Sequence, residues 1–203
     1  MTHNKLQRLF PTHHNMRYDY EGLYSITPLR ESLLMAEIVA DACWQVLRRS
    51  ASSVRIIDGT AGIGGNTIGF AKFFDHVLSI EIDQKRHRLL QHNLGCAAKL
   101  SNVTCYRADV LKLRTHAPVI FLDPPWGGYT YRQAKQLQLF LGRKPLHEVI
   151  LAFYHQQRPH PMLVALKVPV NFGMDSFTAA ISPIVVYSTH RLAKMVLVLL
   201  VLP

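Results

Sequence analysis

The chain has 203 residues, of which 49% are hydrophobic and 18% are charged, a composition that excludes a disordered tail. Lysine and arginine number 23 against 13 aspartate and glutamate residues, which gives a formal net charge of +10. This excess favours a polyanionic partner, with nucleic acid ahead of an acidic membrane surface. The length suits one well-buried domain, so we expect residues 1–203 to form a single domain with residues 1–27 as an N-terminal arm.

The sequence contains no pattern that predicts membrane insertion, secretion or metal binding. The longest apolar run, Met195 to Leu202, is shorter than the ~20 residues that a spanning helix needs, and the N-terminus lacks the apolar core of a signal peptide. Cys43, Cys96 and Cys105 form no Cys-x-x-Cys pair, and the eleven histidines show no metal-ligand spacing. We therefore expect an intracellular monomer with reduced thiols, in the nucleus or the cytoplasm.

Helices and strands alternate along the chain after residue 26. Thr27-Pro28 predicts the start of a helix, with threonine as the N-cap and proline as the first helical residue. The predicted strands cover 54–58, 76–83, 103–109, 118–123 and 162–170, followed by an antiparallel pair at 183–188 and 195–202, and further helices are predicted over 66–74 and 84–100. This alternation predicts an α/β fold with a mostly parallel seven-stranded sheet, an antiparallel last strand and helices on both faces.

A glycine-rich turn, DGTAGIGGNT (58–67), separates the first strand from its helix. Glycines allow a backbone to approach a ligand closely, and a helix N-terminus offers unpaired N–H groups. Gly62 and Gly64 fit the first two positions of G-x-G-x-x-G, but the third falls on Thr67, and no Gly-Lys-Ser/Thr follows. With Asp58 at the strand end, the turn suits a ligand that carries cations, as S-adenosylmethionine does in its sulfonium and α-amino groups.

Two further acids follow the next two strands. Glu81 can accept hydrogen bonds from both ribose hydroxyls of a nucleoside, and Asp109 can accept one from an adenine amino group. The carboxyl ends of strands in an open α/β sheet line the crevice in which ligands bind. We therefore predict a nucleoside cofactor, S-adenosylmethionine, at this edge of the sheet.

The segment FLDPPWGG (121–128) ends the fourth strand, because consecutive prolines cannot continue a sheet ladder. The Asp123 carboxylate and the Pro124 carbonyl can accept the two N–H bonds of an exocyclic amino group, which turns its lone pair toward a methyl donor. Trp126 offers a flat face on which a base can stack, an interaction worth about 1–3 kcal/mol, with a cation–π contribution if the base is charged. The segment predicts an amino methyltransferase that grips a nucleobase.

Together, DGTAGIGGNTIGFA, SIEID and FLDPPWGGYTY resemble the trimethylguanosine synthase family of RNA cap guanine-N2 methyltransferases. The likeness extends upstream to RLF (8–10) and EGLYSITP (21–28) and covers the chain from Arg8 to about Tyr131. It implies a Rossmann-like class I methyltransferase fold, S-adenosylmethionine as cofactor, and the 7-methylguanosine cap of RNA as the substrate that is methylated on its amino group.

The resemblance also implies roles for individual residues, with the arm closing over cofactor and substrate. Asp123 and Pro124 would be catalytic. The expected substrate-binding residues are Trp126, Tyr131, Arg8 and Lys5. The expected cofactor-binding residues are Phe10, Thr27, Asp58, Gly59, Thr60, Gly62, Asn66, Glu81, Asp109 and Asp123.

Three positions depart from the family pattern. Asp123 stands where the family has serine, Tyr129 replaces a proline, and VPVN (168–171) lacks an arginine expected near the cap phosphates. That last departure leaves Arg8, Lys5, Arg132 and Lys135 as phosphate-binding candidates. Two alternatives stay open: an amino methyltransferase acting on adenine or guanine in DNA or ribosomal RNA, and a non-catalytic cap- or RNA-binding module with the same fold.

Overall fold

A computed structural model describes residues 2–13, 15–114, 116–156 and 159–203, and only the backbone of residues 2–4 and 129. Two compact units divide the chain, Met1–Leu113 and Arg114–Pro203. Within the described ranges, no helix is long and apolar enough to cross a membrane.

The first unit contains three parallel strands and most of the helices. Its helices are α1 (Thr2–Leu9), α2 (Tyr20–Ser25), α3 (Leu29–Ala42), α4 (Gly65–Phe70) and α5 (Gln84–His92). Its strands are β1 (Arg55–Asp58), β2 (His76–Glu81) and β3 (Val103–Arg107), with β2 paired to both others in parallel. Two π-helical turns follow α3 and α5, at Cys43–Leu47 and Asn93–Ala97, and two 3₁₀ turns lie at Ala51–Ser53 and Val110–Lys112.

The second unit contains four strands and two helices. Its strands are β4 (Val119–Leu122), β5 (Leu163–Pro169), β6 (Val185–Leu192) and β7 (Met195–Val201), and its helices are α6 (Leu146–Gln156) and α7 (Met174–Ala180). Strand β4 pairs with β5 in parallel, whereas β7 is antiparallel to both β5 and β6. A 3₁₀ helix spans Gly128–Gln133, and a short hairpin pairs Phe140–Leu141 with Lys144–Pro145.

The seven long strands form one sheet in the order β3-β2-β1-β4-β5-β7-β6. The predicted mostly parallel sheet with an antiparallel last strand is confirmed. Its central strands are buried on both faces, which explains why segments such as VIFL (119–122) read as unbroken apolar runs.

The arm, residues 1–27, is largely helical in α1 and α2, although its sequence shows no clean helical periodicity. Its apolar side chains form one buried cluster with residues from the glycine turn, α4, α5 and the π-helical turn after α5. The cluster consists of Leu6, Phe10, Met16, Leu23, Ala61, Ile68, Leu90 and Leu94. At the surface, the Glu21 carboxylate accepts a hydrogen bond from Arg86 at 2.7 Å, which ties α2 to α5. The arm is therefore packed on the first unit.

Helix α3 begins one residue later than predicted. Pro28 occupies the N-cap position with an extended ψ of 149°, and no side chain caps the helix, so the prediction of Thr27 as N-cap is wrong. The helix then packs closely on α4. The Ser32 hydroxyl donates to the Gly65 carbonyl at 2.7 Å, and a Cβ placed on Gly69 would lie 2.6 Å from the Ser32 carbonyl oxygen. Only glycine fits at that contact.

Candidate active site

The glycine turn is held in place by Glu81 at the end of β2. The two carboxylate oxygens of Glu81 accept hydrogen bonds from the backbone N–H of Gly62 at 2.9 Å and of Asp83 at 2.8 Å. Gly62 has a φ of +56°, and a Cβ there would meet nothing within 4 Å, so the turn faces open space. Burial raises the pKa of Glu81, and hydrogen bonding from Asp83 opposes that rise. A buried carboxylate beside an open glycine turn fits the ribose of a nucleoside cofactor.

Asp58 ends β1 and is fully buried. Its Oδ2 accepts a hydrogen bond from the Thr67 hydroxyl at 2.7 Å, and the Ser79 hydroxyl lies 2.9 Å from the same Thr67 oxygen. Because Thr67 has a single proton, Ser79 donates to Thr67 while Thr67 donates to Asp58. This chain orients the Asp58 carboxylate at the base of the turn.

The other predicted cofactor residues of the first unit lie around the same turn or in the arm. Asp109 is half-buried. Its carboxylate caps the 3₁₀ turn that follows by accepting a hydrogen bond from the backbone N–H of Leu111 at 3.0 Å. Gly59 and Asn66 are buried, and Thr60 is partly exposed. Thr27 is 2% exposed and borders the close α3–α4 contact, since its carbonyl would lie 2.9 Å from a Cβ on Gly65.

Three predicted residues of the arm occupy different environments. Phe10 is fully buried in the apolar cluster, with its ring edge-on to His13 at 6.0 Å, so the structure shows it as a packing residue. The Lys5 ammonium donates to the Leu23 carbonyl at 3.5 Å, and Arg8 is exposed. Their predicted contacts with cofactor or substrate stay predictions.

In the second unit, Asp123 follows β4 and forms an ion pair that was not predicted. The ammonium of Lys167 on β5 donates to Asp123 Oδ2 at 2.6 Å, and the side chains are 5% and 16% exposed, respectively. Leu122 of β4 pairs with Leu166 of β5. The residues that come next in the chain, Asp123 and Lys167, therefore lie opposite each other. The signal in the sequence was a lysine within the apolar strand LVALKVP, because a buried lysine requires a partner.

Trp126 lies beside this ion pair. The Lys167 ammonium is 5.2 Å from the centre of the indole ring, and the Tyr131 ring meets the indole edge-on at 5.3 Å with an interplanar angle of 72°. The Arg132 guanidinium lies 5.6 Å from the Tyr131 ring, so a cation of the exposed surface borders the aromatic pair. The indole Nε1 is buried and has no hydrogen-bond partner within the described part of the chain. These residues surround the indole, and its stacking on a base stays a prediction.

Two asparagines that the sequence analysis did not select fix the loops of the two units. Asn171 donates from Nδ2 to the carbonyls of Tyr131 and Ala134, both at 2.8 Å, which anchors the 3₁₀ helix that carries Tyr131. In the first unit, Asn93 is fully buried. It donates to the carbonyls of Ile63 at 2.8 Å and Arg17 at 2.9 Å, so it joins the glycine turn to the arm. Of the two, only Asn171 had a signal in the sequence, because it directly follows the predicted strand 162–170.

Lys135, the remaining phosphate candidate, is exposed, as is Arg132. Among the residues whose positions are described, no cluster of three or more His, Cys, Asp or Glu side chains could hold a metal ion. The three cysteines are free, with Cys43 buried and Cys96 exposed.

The fold is the Rossmann-like fold of class I methyltransferases. The Pyrococcus horikoshii protein PH1948 superposes with a TM-score of 0.64 at 15% identity, over 98% of this chain and 97% of that one. An RNA methyltransferase from Salinibacter ruber, solved with S-adenosyl-L-homocysteine, gives a TM-score of 0.58 at 17% identity, over 87% and 93% of the two chains. At these identities the likeness shows the fold.

Residues 53–189 match the family of RNA cap guanine-N2 methyltransferases, and the chain belongs to that family. The trimethylguanosine synthase of Schizosaccharomyces pombe is 36% identical over 121 residues, which are 56% of this chain and 47% of that protein. The chain spans about half the length of the curated relatives it matches. The predicted family is confirmed, and with it S-adenosylmethionine as the cofactor.

Proposed function

We propose that the chain transfers a methyl group to the exocyclic amino group of the 7-methylguanosine cap of RNA. The observation that carries this proposal is the partly exposed indole of Trp126, which lies three residues after Asp123. The ring of Tyr131 packs edge-on against this indole. A rigid aromatic face beside a carboxylate that follows a strand suits a base with an amino group. The family match supports the same substrate.

In the first unit, we assign Glu81 to the ribose hydroxyls, Asp58 to the α-amino group and Asp109 to the adenine amino group of S-adenosylmethionine. The cofactor supplies an electrophilic methyl group. The backbone of Gly59, Thr60 and Gly62 lies along the glycine turn and Asn66 in the first turn of α4, where they would contact the same ligand. We also propose that residues 1–27 close over this site, with Phe10 and Thr27 as their contacts, within a single domain.

In the second unit, the Asp123 carboxylate and the Pro124 carbonyl accept the two amino N–H bonds of the base. A guanine amino group is a weak nucleophile because its lone pair is delocalised into the ring. Holding both N–H groups would turn that lone pair out of the ring plane, toward the methyl group that S-adenosylmethionine would supply with S-adenosylhomocysteine as its leaving group. The Asp123 carboxylate would accept the amino proton that the transfer releases.

Trp126 favours a base that is positively charged. Methylation at position 7 gives guanine a positive charge, which adds a cation–π term to stacking worth about 1–3 kcal/mol. The same charge makes the amino protons more acidic. Capped RNA is accordingly the proposed partner, with Arg8, Lys5, Arg132 and Lys135 as candidates for its phosphates. We also propose that the protein acts as a monomer in the nucleus or the cytoplasm.

A parallel assay tests the proposed substrate. Methyl transfer to 7-methylguanosine triphosphate, GTP, ATP and a DNA oligomer is measured at matched concentrations. We expect the 7-methylated nucleotide to react well and GTP poorly. Equal turnover of GTP, or turnover of the DNA oligomer alone, would favour the broader amino methyltransferase that Asp123 also suits. Absence of S-adenosylmethionine binding by calorimetry would favour a non-catalytic module.

A further inference from the structure

Lys167 and Asp123 form an ion pair in which both side chains are less than a fifth exposed. Among the ion pairs found in the described ranges, no other has both side chains so little exposed. The pair lies inside the second unit, with the lysine on β5, a strand whose seven residues are all buried. At 2.6 Å the ammonium and the carboxylate are in direct hydrogen-bond contact. Such a short, charge-assisted contact fixes the direction of the carboxylate.

Each member of this pair depends on the other. An ionised side chain is strongly disfavoured away from water unless it is paired, and removal of one partner takes its compensating charge away from the other. The family pattern has serine at the position of Asp123, and a serine hydroxyl could not neutralise the charge of Lys167. The aspartate and the lysine therefore act as one unit, and a change at one of them alters the charge balance at the other.

The same unit borders the stacking face. The Lys167 ammonium lies 5.2 Å from the centre of the Trp126 ring. A cationic base stacked on that indole would lie close enough to be repelled by an uncompensated ammonium, and the carboxylate of Asp123 cancels this repulsion. A neutral base would be affected much less. Whether the Asp123 carboxylate offsets the Lys167 ammonium therefore affects how strongly the stacking site prefers a cationic base to a neutral one.

We infer that Lys167 is a positioning residue that holds Asp123 against the base site, and that the neutral Asp123–Lys167 pair is what allows a cationic base to stack on Trp126. This inference rests on the proposed function. It assigns Lys167 no contact with the reacting atoms. Its effect on the reaction passes through the direction and the charge of the Asp123 carboxylate.

The test uses three variants of the full chain: Asp123→Ser, Lys167→Met and the double variant. The measured quantity is the ratio of the dissociation constants for 7-methylguanosine triphosphate and GTP, read from quenching of tryptophan fluorescence. Asp123→Ser removes the carboxylate that offsets the ammonium and should lower the preference for the cationic base about tenfold, whereas Lys167→Met should not lower it. The double variant should return the preference to within about threefold of the wild type.

Catalysis and stability complete the test. Lys167→Met should lower kcat because the carboxylate is no longer held, while Lys167→Arg, which keeps the charge, should retain most of it. A preference unchanged in Asp123→Ser, or a double variant no better than Asp123→Ser, would overturn the inference. If a single variant does not fold but the double variant does, the mutual dependence is supported directly. A wild-type protein with no preference for the methylated base contradicts the proposed function itself.

Discussion

Trp126 stands between the rigid Pro124-Pro125 segment and the ring of Tyr131, which holds its indole edge-on. Stacking forms in the ground state as well as in the transition state, so its loss should act mainly on substrate binding. We expect Trp126→Ala to raise KM for 7-methylguanosine triphosphate about tenfold or more, consistent with the ~1–3 kcal/mol of base stacking, with a smaller change in kcat. Trp126→Phe should retain part of the affinity. Steady-state kinetics on both variants measure this, and a normal KM in the alanine variant would contradict the stacking role.

Glu81, which we assign to the cofactor site, should give cofactor binding a dependence on pH. Burial raises its pKa above the ordinary value of 4.5, so the folded protein holds this proton more tightly than the unfolded chain does. The resulting contribution to stability is present below the unfolded pKa and is lost as pH rises through the folded pKa. In the proposed assignment the ribose hydroxyls bind the ionised carboxylate, so cofactor affinity should fall as pH drops through the raised pKa.

Calorimetry with S-adenosylmethionine across this pH range checks the expectation, with Glu81→Gln as the matched variant. The variant should bind more weakly at neutral pH, because glutamine cannot accept from both Gly62 and Asp83 N–H groups. It should also lose the pH dependence in that range. The same acid-side loss of affinity in both proteins would assign the titration to another group.

At the scale of the elements, the contact between α3 and α4 depends on the absence of a side chain at Gly69. A methyl group there would meet the Ser32 carbonyl at 2.6 Å, which is backbone and cannot move aside. We expect Gly69→Ala to lower the free energy of unfolding by about 1–3 kcal/mol. Gly95→Ala is the control, because a Cβ at Gly95 meets nothing within 4 Å.

Urea denaturation compares the two glycine variants. The control should be neutral or slightly stabilising, by up to about 1 kcal/mol, since alanine reduces the entropy of the unfolded chain. Equal stability of Gly69→Ala and Gly95→Ala would show that α4 can shift away from α3 at little cost.

The strands could be predicted because their apolar runs and terminal acids are local signals. VRIID, HVLSIEID and PVIFLD each end within two residues of the observed strand, at Asp58, Glu81 and Leu122. The helices of the arm could not be predicted in this way, because Leu6, Phe10, Met16 and Leu23 are buried by packing against α5 and the glycine turn. Their pattern reflects a tertiary surface, not a single helical face.

The candidate site was predictable in part for the same reason. Asp58 and Glu81 are the last residues of β1 and β2, where the sequence itself marks the carboxyl edge of the sheet. Lys167 was missed because its significance depends on the register of β5 with β4, which no local pattern specifies. Asn93 was missed because its hydrogen bonds join segments 76 and 30 residues apart in the sequence.

At the scale of the whole molecule, the net charge of +10 should act on the RNA chain beyond the cap. Binding that releases counterions from phosphates weakens linearly in the logarithm of salt, with a slope of about −0.7 for each neutralised phosphate of a single strand. We expect a capped oligonucleotide to bind more tightly than 7-methylguanosine triphosphate at low salt, with a steeper salt dependence. Fluorescence titrations at several salt concentrations measure the slope for each of the two ligands. Equal slopes would mean that the protein contacts the cap and not the RNA chain beyond it.

The position of the transferred methyl group tests the central claim most directly. The protein is incubated with 7-methylguanosine triphosphate and S-adenosylmethionine that carries a deuterated methyl group, and the product is fragmented by tandem mass spectrometry. We predict that the label appears on the base, on the exocyclic amino nitrogen. Label on the ribose, or no label on this nucleotide while adenine or a DNA oligomer is methylated under the same conditions, would contradict the account.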